Sequence, residues 1–331
     1  MSGRSREINK VLVIKFGALG DFVLALAAMK RIRLAHPKAR ITLLTTPPFE
    51  ALAKASPYFN AIEIDGRPDD AGDWWAMVRR VRGAHYDRIY DLQTSSRSSL
   101  IFQFLRPLPP QWSGIAAGCS HPHRNPKRVG MHTLERQADQ LREAGIWPGA
   151  PTGPGAAPPP DLSWILKKVG DQRPPASGSV KPRPYALMVP GGSAGRLDKR
   201  WPAERYAELA ALLNRRGFDV VVIGGPEESA LARAIQRKAK ARDLTGRTDF
   251  AQIAALGARA ALAIGNDTGP THLIAAAGAP TLVLFSKASD PALCAPRGHV
   301  DVLRIDNLAD LPTAEVAAAC ERLAPAETPV R

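Results

Sequence analysis

The sequence predicts an α/β protein built from two parallel-sheet domains, and three features predict it. Short apolar runs alternate with longer stretches of helical spacing, which is the pattern of βαβ units. The alternation stops in proline- and glycine-rich text at 148–184 and then restarts. The length of 331 residues also exceeds what one hydrophobic core usually serves, so two domains of roughly 150 residues each are expected.

The elements follow in order. VLVIKF (11–16) is a short apolar strand and GALGD a turn. FVLALAAMKRIRLAHP has helical spacing and stops at Pro37, which cannot continue a helix. ITLLTT (41–46) and AIEID (61–65) are the second and third strands, WWAMVRRVRGAHY (74–86) a helix and DRIYDLQ (87–93) a fourth strand. PGAPTGPGAAPPP and DQRPPASGSVKPRP flank the short segment DLSWILKKV. These compositions set a first domain over 1–165, a linker over 166–184 and a second domain over 185–331. In the second domain YALMVPGG (185–192), FDVVVIGGPEE (218–228), ALAIGND (261–267) and PTLVLFS (280–286) read as strands running into loops. Helices are expected over 201–217, over SALARAIQRKAKA (229–241), DFAQIAALGARA and THLIAAAGA, and near the end at TAEVAAACERLA. There is no tandem repeat of short period.

Composition narrows the class. Hydrophobic residues at 45% and charged residues at 23% describe an ordinary globular protein. No apolar run approaches the ~18 residues that a membrane span requires. The polar start MSGRSREINK leads into a strand, so no secretory signal is expected. Cys119, Cys294 and Cys320 are odd in number and lack metal-ligand spacing, which suits a reducing cytoplasm. The net charge is +14, unevenly spread: residues 1–170 hold 24 Lys and Arg against 14 Asp and Glu, the remainder 21 against 17. A basic first half points to an anionic partner, whether nucleic acid, an acidic membrane face or a phosphorylated substrate. A merely arginine-rich surface is the competing reading.

In open α/β sheets ligands sit beyond the carboxyl ends of the strands. That rule selects Gly17–Asp21 in the first domain, and Gly191–Lys199, Gly224–Glu228, Thr245–Thr248 and Asn266–His272 in the second. In GNDTGPTHLIAAAGAP (265–280), Asp267, Thr268 and Gly269 make a strand-to-helix turn whose free N–H groups and helix dipole favour an anion such as phosphate. Thr268 or Thr271 can also serve as a simple helix cap, the lesser alternative. His272, in the first turn, is placed to donate to a phosphate oxygen, though a lone histidine is more often packed or solvated.

These segments resemble glycosyltransferase family 9, the lipopolysaccharide heptosyltransferases. The resemblance runs through GNDTGPTHLIAAAGAPTLVLF, PGGSAGRLDKRWPAERYAELA and VIKFGALGDFVLALAAM, in the family's order and across both domains. It is specific in the carboxy-terminal half and weaker in the first domain beyond residue 30. It implies the GT-B fold, two Rossmann-like domains facing each other across a cleft. The implied reaction is an inverting, metal-independent transfer of a sugar, heptose from ADP-heptose, to a lipopolysaccharide core or related glycolipid. Asp21 matches the general base that takes the acceptor hydroxyl's proton. Lys199 matches a lysine that neutralises the departing diphosphate. Asp267, Thr268, Gly269 and His272 match the donor-binding turn, Gly195 the phosphate loop and Thr248 a position near the nucleobase. Glu227 or Glu228 reaches the ribose. On the acceptor side stand Gly17 and Ala18, with Arg97, His132 and Arg136. No cofactor and no metal are implied. The partners are the nucleotide sugar and an anionic glycolipid, in the cytoplasm, with peripheral contact to the inner membrane surface.

The sequence departs from the family at two points. Phe16, Gly17 and Ala18 stand where hydroxyl residues often precede Leu-Gly-Asp, and Ala194 and Gly195 replace threonines before the phosphate lysine. Backbone N–H groups bind phosphate without side chains, so neither change removes the site. There is no GxGxxG after the first strand, no GxxxxGK[ST], no GxSxG elbow and no Asp-x-Asp pair after a strand. A nucleotide-sugar 2-epimerase-like enzyme and a non-catalytic nucleotide-sugar- or nucleic-acid-binding protein remain as other readings. The chain lacks the aromatic, basic cluster that stacks bases, so no nucleic-acid partner is expected.

Overall fold

The computed structural model describes residues 7–151, 153–170, 183–192 and 195–324. Ser193 and Ala194, and most of the expected linker (171–182), therefore lie outside the described residues. The chain divides into two compact units, Met1–Pro158 and Pro159–Arg331. A short helix, Ile165–Val169, belongs to the second unit and packs on the helix Phe250–Gly257.

The first unit holds β1 (Lys10–Ile14), β2 (Arg40–Leu44), β3 (Ala61–Glu63), β4 (Arg88–Asp91), β5 (Gln111–Gly114) and β6 (His121–Pro122), in the order β3-β2-β1-β4-β5-β6. The second holds β7 (Tyr185–Val189), β8 (Asp219–Val222), β9 (Ala241–Asp243), β10 (Leu262–Asn266), β11 (Thr281–Phe285) and β12 (Val300–Arg304), in the order β12-β11-β10-β7-β8-β9. Every strand pairing is parallel. Numbered within its unit, each sheet reads 3-2-1-4-5-6, the Rossmann order, with its topological switch between β1 and β4 or between β7 and β10. Register fixes what meets at these switches: Ile14 lies opposite Asp91, and Gly265 opposite Val189. Two α/β domains of the expected class are present.

Central strands are buried on both faces, because crossover helices cover both sides of a parallel sheet. The helix Leu19–Ala35 is accordingly apolar almost all round, and the Phe22 ring stacks on Phe49 at 4.5 Å. In the first core Phe102 meets Trp112 edge-on at 5.3 Å, and in the second Trp201 meets Tyr206 at 4.8 Å. Each such aromatic pair contributes about 0.5–1.5 kcal/mol beyond its buried area.

The structure corrects several element boundaries. The helix expected over 74–86 runs Ala71–Gly83, because Asp70 caps it by accepting from Asp73 N (2.8 Å). The helix expected to reach 241 ends at Gln236, and Ala241–Asp243 instead pairs with β8. The strands β5, β6 and β12 and the helices Ser96–Phe104 and Thr133–Glu143 are additional to the sequence reading. Among the described residues no helix is long and apolar enough to cross a membrane.

Candidate active site

Asp21 follows β1, and Lys199 and Asp267 follow β7 and β10, so the central candidates of each unit sit at its switch point. In the second unit the organising residue is Asn266, the fully buried end of β10. Its Nδ2 donates to the carbonyls of Pro190 (2.9 Å) and Gly191 (3.0 Å), while its Oδ1 accepts from Trp201 N and the Tyr206 hydroxyl (both 3.1 Å). One amide therefore ties the loop after β7 to the turn after β10.

Asp267 follows. Its carboxylate accepts from Lys199 Nζ (2.8 Å), from Ser289 Oγ (2.6 Å) and from His272 Nε2 (3.2 Å). Burial alone would raise its pKa, but the hydrogen bonds from His272, Lys199 and Ser289 prevail and hold the carboxyl far below the usual range. Asp267 is thus a permanent anion that aims a lysine and a histidine. In a neutral His272 ring the Nε2 proton serves Asp267, and the buried Nδ1, without a partner among the described residues, is an acceptor. Donation from Nδ1 to a phosphate oxygen would need the imidazolium.

The helix Gly269–Ala276 begins here with Pro270 in its first turn. Thr268 occupies the cap position without capping: its hydroxyl pairs with Thr271 Oγ1 (3.2 Å), which itself donates to Asn266 O (2.8 Å). Among the described residues nothing accepts from the Gly269 and Thr271 N–H groups. Open N–H groups at the positive end of a helix dipole, with an oriented lysine beside them, form an anion site. Gly195 is exposed, and a side chain there would meet only open space.

The two glutamates separate cleanly. Glu228 is buried and bridges two turns, its Oε1 accepting from Gly192 N (2.6 Å) and its Oε2 from Gly225 N (2.9 Å). A Cβ on Gly191 would lie 1.6 Å from that carboxylate, and one on Gly224 2.2 Å, which is why glycines stand there. Glu227 is exposed. Thr248 sits just before Asp249, the cap of the helix Phe250–Gly257, and its buried hydroxyl has no partner among the described residues.

In the first unit Gly17, at φ +119°, turns the chain from β1 into the helix Leu19–Ala35; the Phe49 ring would stand 3.1 Å from a Cβ there. Ala18 is the cap residue, with no side chain to offer the helix. Asp21, in the first turn, accepts no hydrogen bond and makes no close ion pair among the described residues, so helix capping is not its role. Lys15 and Arg136 are its electrostatic neighbours. Burial pushes the Lys15 ammonium down to about 8, against the attraction of Asp21 and, more weakly, Asp91. Asp91, fully buried at the end of β4, is pushed up to about 6 by the same desolvation. Its Oδ1 accepts from Gln93 N (3.0 Å) and Thr94 N (2.9 Å), and its buried Oδ2 has no close partner among the described residues. Lys15 and Asp91 were not singled out from sequence. A lysine ending an apolar strand is the signal that could have found the first.

Arg136 feels the charge of Asp21 without pairing with it, and its NH2 donates to Thr133 Oγ1 (3.2 Å). Arg97 is exposed beyond the end of β4 and donates to Pro68 O (3.4 Å). His132 is different: it is buried and caps Thr133–Glu143, its Nδ1 accepting from Leu134 N (3.2 Å). His123, Asp139 and Glu143 present atoms close enough to share an ion. Asp139 already accepts from His123 Nε2 (2.9 Å), Asn125 Nδ2 (2.7 Å) and the Arg142 guanidinium, so this group is a closed hydrogen-bond network.

The family model for glycosyltransferase family 9 (heptosyltransferase) matches residues 74–315. The chain belongs to that family. Among curated relatives of this glycosyltransferase, lipopolysaccharide heptosyltransferase 2 of Escherichia coli K12 is 25% identical over 316 residues, covering 88% of this chain and 86% of that one. The solved structure of E. coli ADP-heptose lps heptosyltransferase II is similar at TM-score 0.77, with 24% identity over 95% of this chain and 98% of the other. E. coli heptosyltransferase WaaC with ADP is similar at TM-score 0.75 and 21% identity, over 95% and 100%. The glycosyltransferase fold is thus GT-B, with two Rossmann-like domains.

Proposed function

We propose that this glycosyltransferase moves heptose from ADP-heptose onto a lipopolysaccharide core or related glycolipid, with inversion and without a metal. The observation that carries the reading is Lys199, held 2.8 Å from Asp267 beside the open start of Gly269–Ala276. The diphosphate lies against those N–H groups, and Lys199 neutralises charge that grows on it as the sugar–phosphate bond breaks. A preset cation and a helix dipole together do the work a divalent ion does elsewhere. Asp267 is an anion and repels phosphate, so its part is to position Lys199 and His272. Glu227, the exposed glutamate, reaches the ribose, and Thr248 offers its unpaired hydroxyl near the nucleobase.

Asp21 takes the proton of the acceptor hydroxyl as that oxygen attacks the anomeric carbon and ADP leaves. A carboxylate with no hydrogen bond of its own is free to accept that proton. Arg136 and Arg97 face the anionic acceptor, while the turn at Gly17 and Ala18 lets it approach. The His132 ring is taken up by its cap. A glycolipid acceptor brings the enzyme to a membrane surface. In the deciding experiment the protein is incubated with ADP-heptose, a truncated core glycolipid and EDTA, and the product is read by mass and anomeric NMR. Gain of one heptose with inverted configuration is expected. Transfer abolished by the chelator and restored by Mg²⁺, or a retained configuration, overturns the mechanism; transfer only from a different nucleotide sugar overturns the donor.

A further inference from the structure

Isolated exposed hydrophobic residues are ordinary on a soluble protein, whereas contiguous ones mark a surface that something covers. The first unit carries such a set. Trp75 is 45% exposed, Leu100 49% and Leu108 90%. They are connected: the Trp75 ring lies 4.9 Å from the half-buried Phe104, and Leu100 precedes Phe104 by one helical turn on Ser96–Phe104. The Arg82 guanidinium donates to the carbonyls of Phe104 and Arg106, and Arg82 and Leu108 line one cavity of about 390 Å³.

Cations rim this patch. Arg79, Arg82, Arg97 and Arg106 are all exposed, and none makes an ion pair among the described residues. Their neighbour Arg80 shows the contrast, being paired with Glu63 and Asp65. The carboxylate of Asp73 leaves the helix about 160° round from Trp75, at ~100° per residue, so it does not complement these arginines.

We propose that this face, formed by the helices Ala71–Gly83 and Ser96–Phe104 and the turn through Leu108, docks on an anionic lipid bilayer. The chemistry fits at each point. Tryptophan partitions to the headgroup level, leucines enter the acyl boundary, and arginines lay their stems on apolar surface while their heads meet lipid phosphates. Charge decides against a second copy of the chain: a two-fold contact would set arginines against arginines. Nucleic acid would use the arginines but not Leu100 and Leu108. The inference deepens the reading of a glycolipid acceptor and rests on it for its purpose, since docking here would hold the acceptor-side unit where such a lipid resides.

The full-length protein is sedimented with vesicles of phosphatidylcholine, with or without on the order of 30% phosphatidylglycerol, anionic lipid attracting each basic residue by about fivefold in partitioning. Binding to the anionic vesicles and its loss at high salt are expected. The pair Trp75→Ala/Leu108→Ser should lower the partition coefficient about tenfold or more, and Arg79→Gln/Arg106→Gln about fivefold or more. Leu34→Ser, at an exposed leucine on another helix, should leave partitioning unchanged. Circular dichroism confirms that each variant is folded, and the arginine pair tests the face even if the apolar pair does not fold. Four outcomes overturn the proposal: no vesicle binding by the wild type, binding by both pairs as tight as that of the wild type, a dimer that the variants dissociate without any lipid affinity, or affinity for random RNA alone. Neither donor nor acceptor is present, so this result is independent of whether heptose is transferred.

Discussion

The two sheets share a topology and place their candidate residues at the same switch point, yet they treat charge there in opposite ways. At the end of β10, the Asn266 side-chain amide has four hydrogen bonds and the Asp267 carboxylate three. At the end of β1 and β4, among the described residues, Asp21 has none and one buried oxygen of Asp91 has no close partner. A site that only has to hold a charged diphosphate gains from being set in advance, because oriented groups need no reorganisation. A group that has to take up a proton gains from being uncommitted, since every hydrogen bond to its ionised form lowers its basicity. On the proposed roles, the contrast would separate binding from proton transfer on one fold.

Four substitutions sharpen or break that contrast. Asp21→Asn has the largest expected effect: a fall in kcat of about 10²–10⁴-fold, the usual cost of losing a general base, with ADP affinity within about twofold of wild type. Calorimetry for Kd and steady-state rates for kcat measure the two halves, and near-normal kcat would remove Asp21 from the chemistry. Lys199→Ala should differ in kind. Losing a charge-assisted phosphate contact of about 1.5–3 kcal/mol weakens ADP binding about 10–150-fold and lowers kcat as well. If only kcat fell, Lys199 would touch no ground-state phosphate.

Asp267→Asn should cost about tenfold in kcat/KM, because Lys199 and His272 lose the anion that aims them. It also carries a pH signature. The folded carboxyl lies far below the ordinary value of 3.8, so its stabilisation is present above about pH 4 and is lost as pH falls through the folded value. Thermal melts of the variant should therefore show a shallower acid limb than wild type. An unchanged limb would mean that the three hydrogen bonds contribute nothing to stability.

Asp91→Asn is expected to have the smallest effect and the opposite sign. A carboxyl raised from 3.8 to about 6 favours the fold while protonated. Its contribution is complete below about pH 4 and lost as pH rises through 6, up to about 3 kcal/mol in all. Asparagine keeps an oxygen for Gln93 N and Thr94 N and cannot ionise. The difference in Tm between variant and wild type should therefore grow in the variant's favour from pH 4 to 7. A difference constant with pH would show that Asp91 is already ionised at pH 4, or that water reaches it.

Reading from sequence succeeded where one segment carried its own signal. VLVIKF, YALMVPGG and ALAIGND are continuous apolar runs because both faces of a parallel strand are buried, and the strand-to-helix turn GNDTGPTH announces itself by its glycine, proline and cap residues. It failed where structure depends on distant partners. β5 is QWSG and β6 is His-Pro; they pair because Ser120 holds Trp112 N and the Gln140 amide reaches Asp91 O and Ser113 O. The helix Thr133–Glu143 buries Glu135, Gln137, Asp139 and Gln140, so its polar text reads as surface. In the site the turn was legible, but the contact from Lys199 to Asp267 spans 68 residues and that from Ser289 to Asp267 spans 22. No local pattern encodes either.

The carboxylate of Glu228 fills the space that a side chain on Gly191 or Gly224 would need, and it satisfies the N–H groups of Gly192 and Gly225. These positions are consequently not free to drift one at a time. Shortening the glutamate strands two amides, while adding a methyl to either glycine first collides with it. Each single step is costly, whereas glycine-to-alanine on a background already lacking the glutamate costs far less than the separate losses would sum to. The glutamate and its glycines therefore act as one coupled unit, in which the tolerance of each position is set by the occupant of the others.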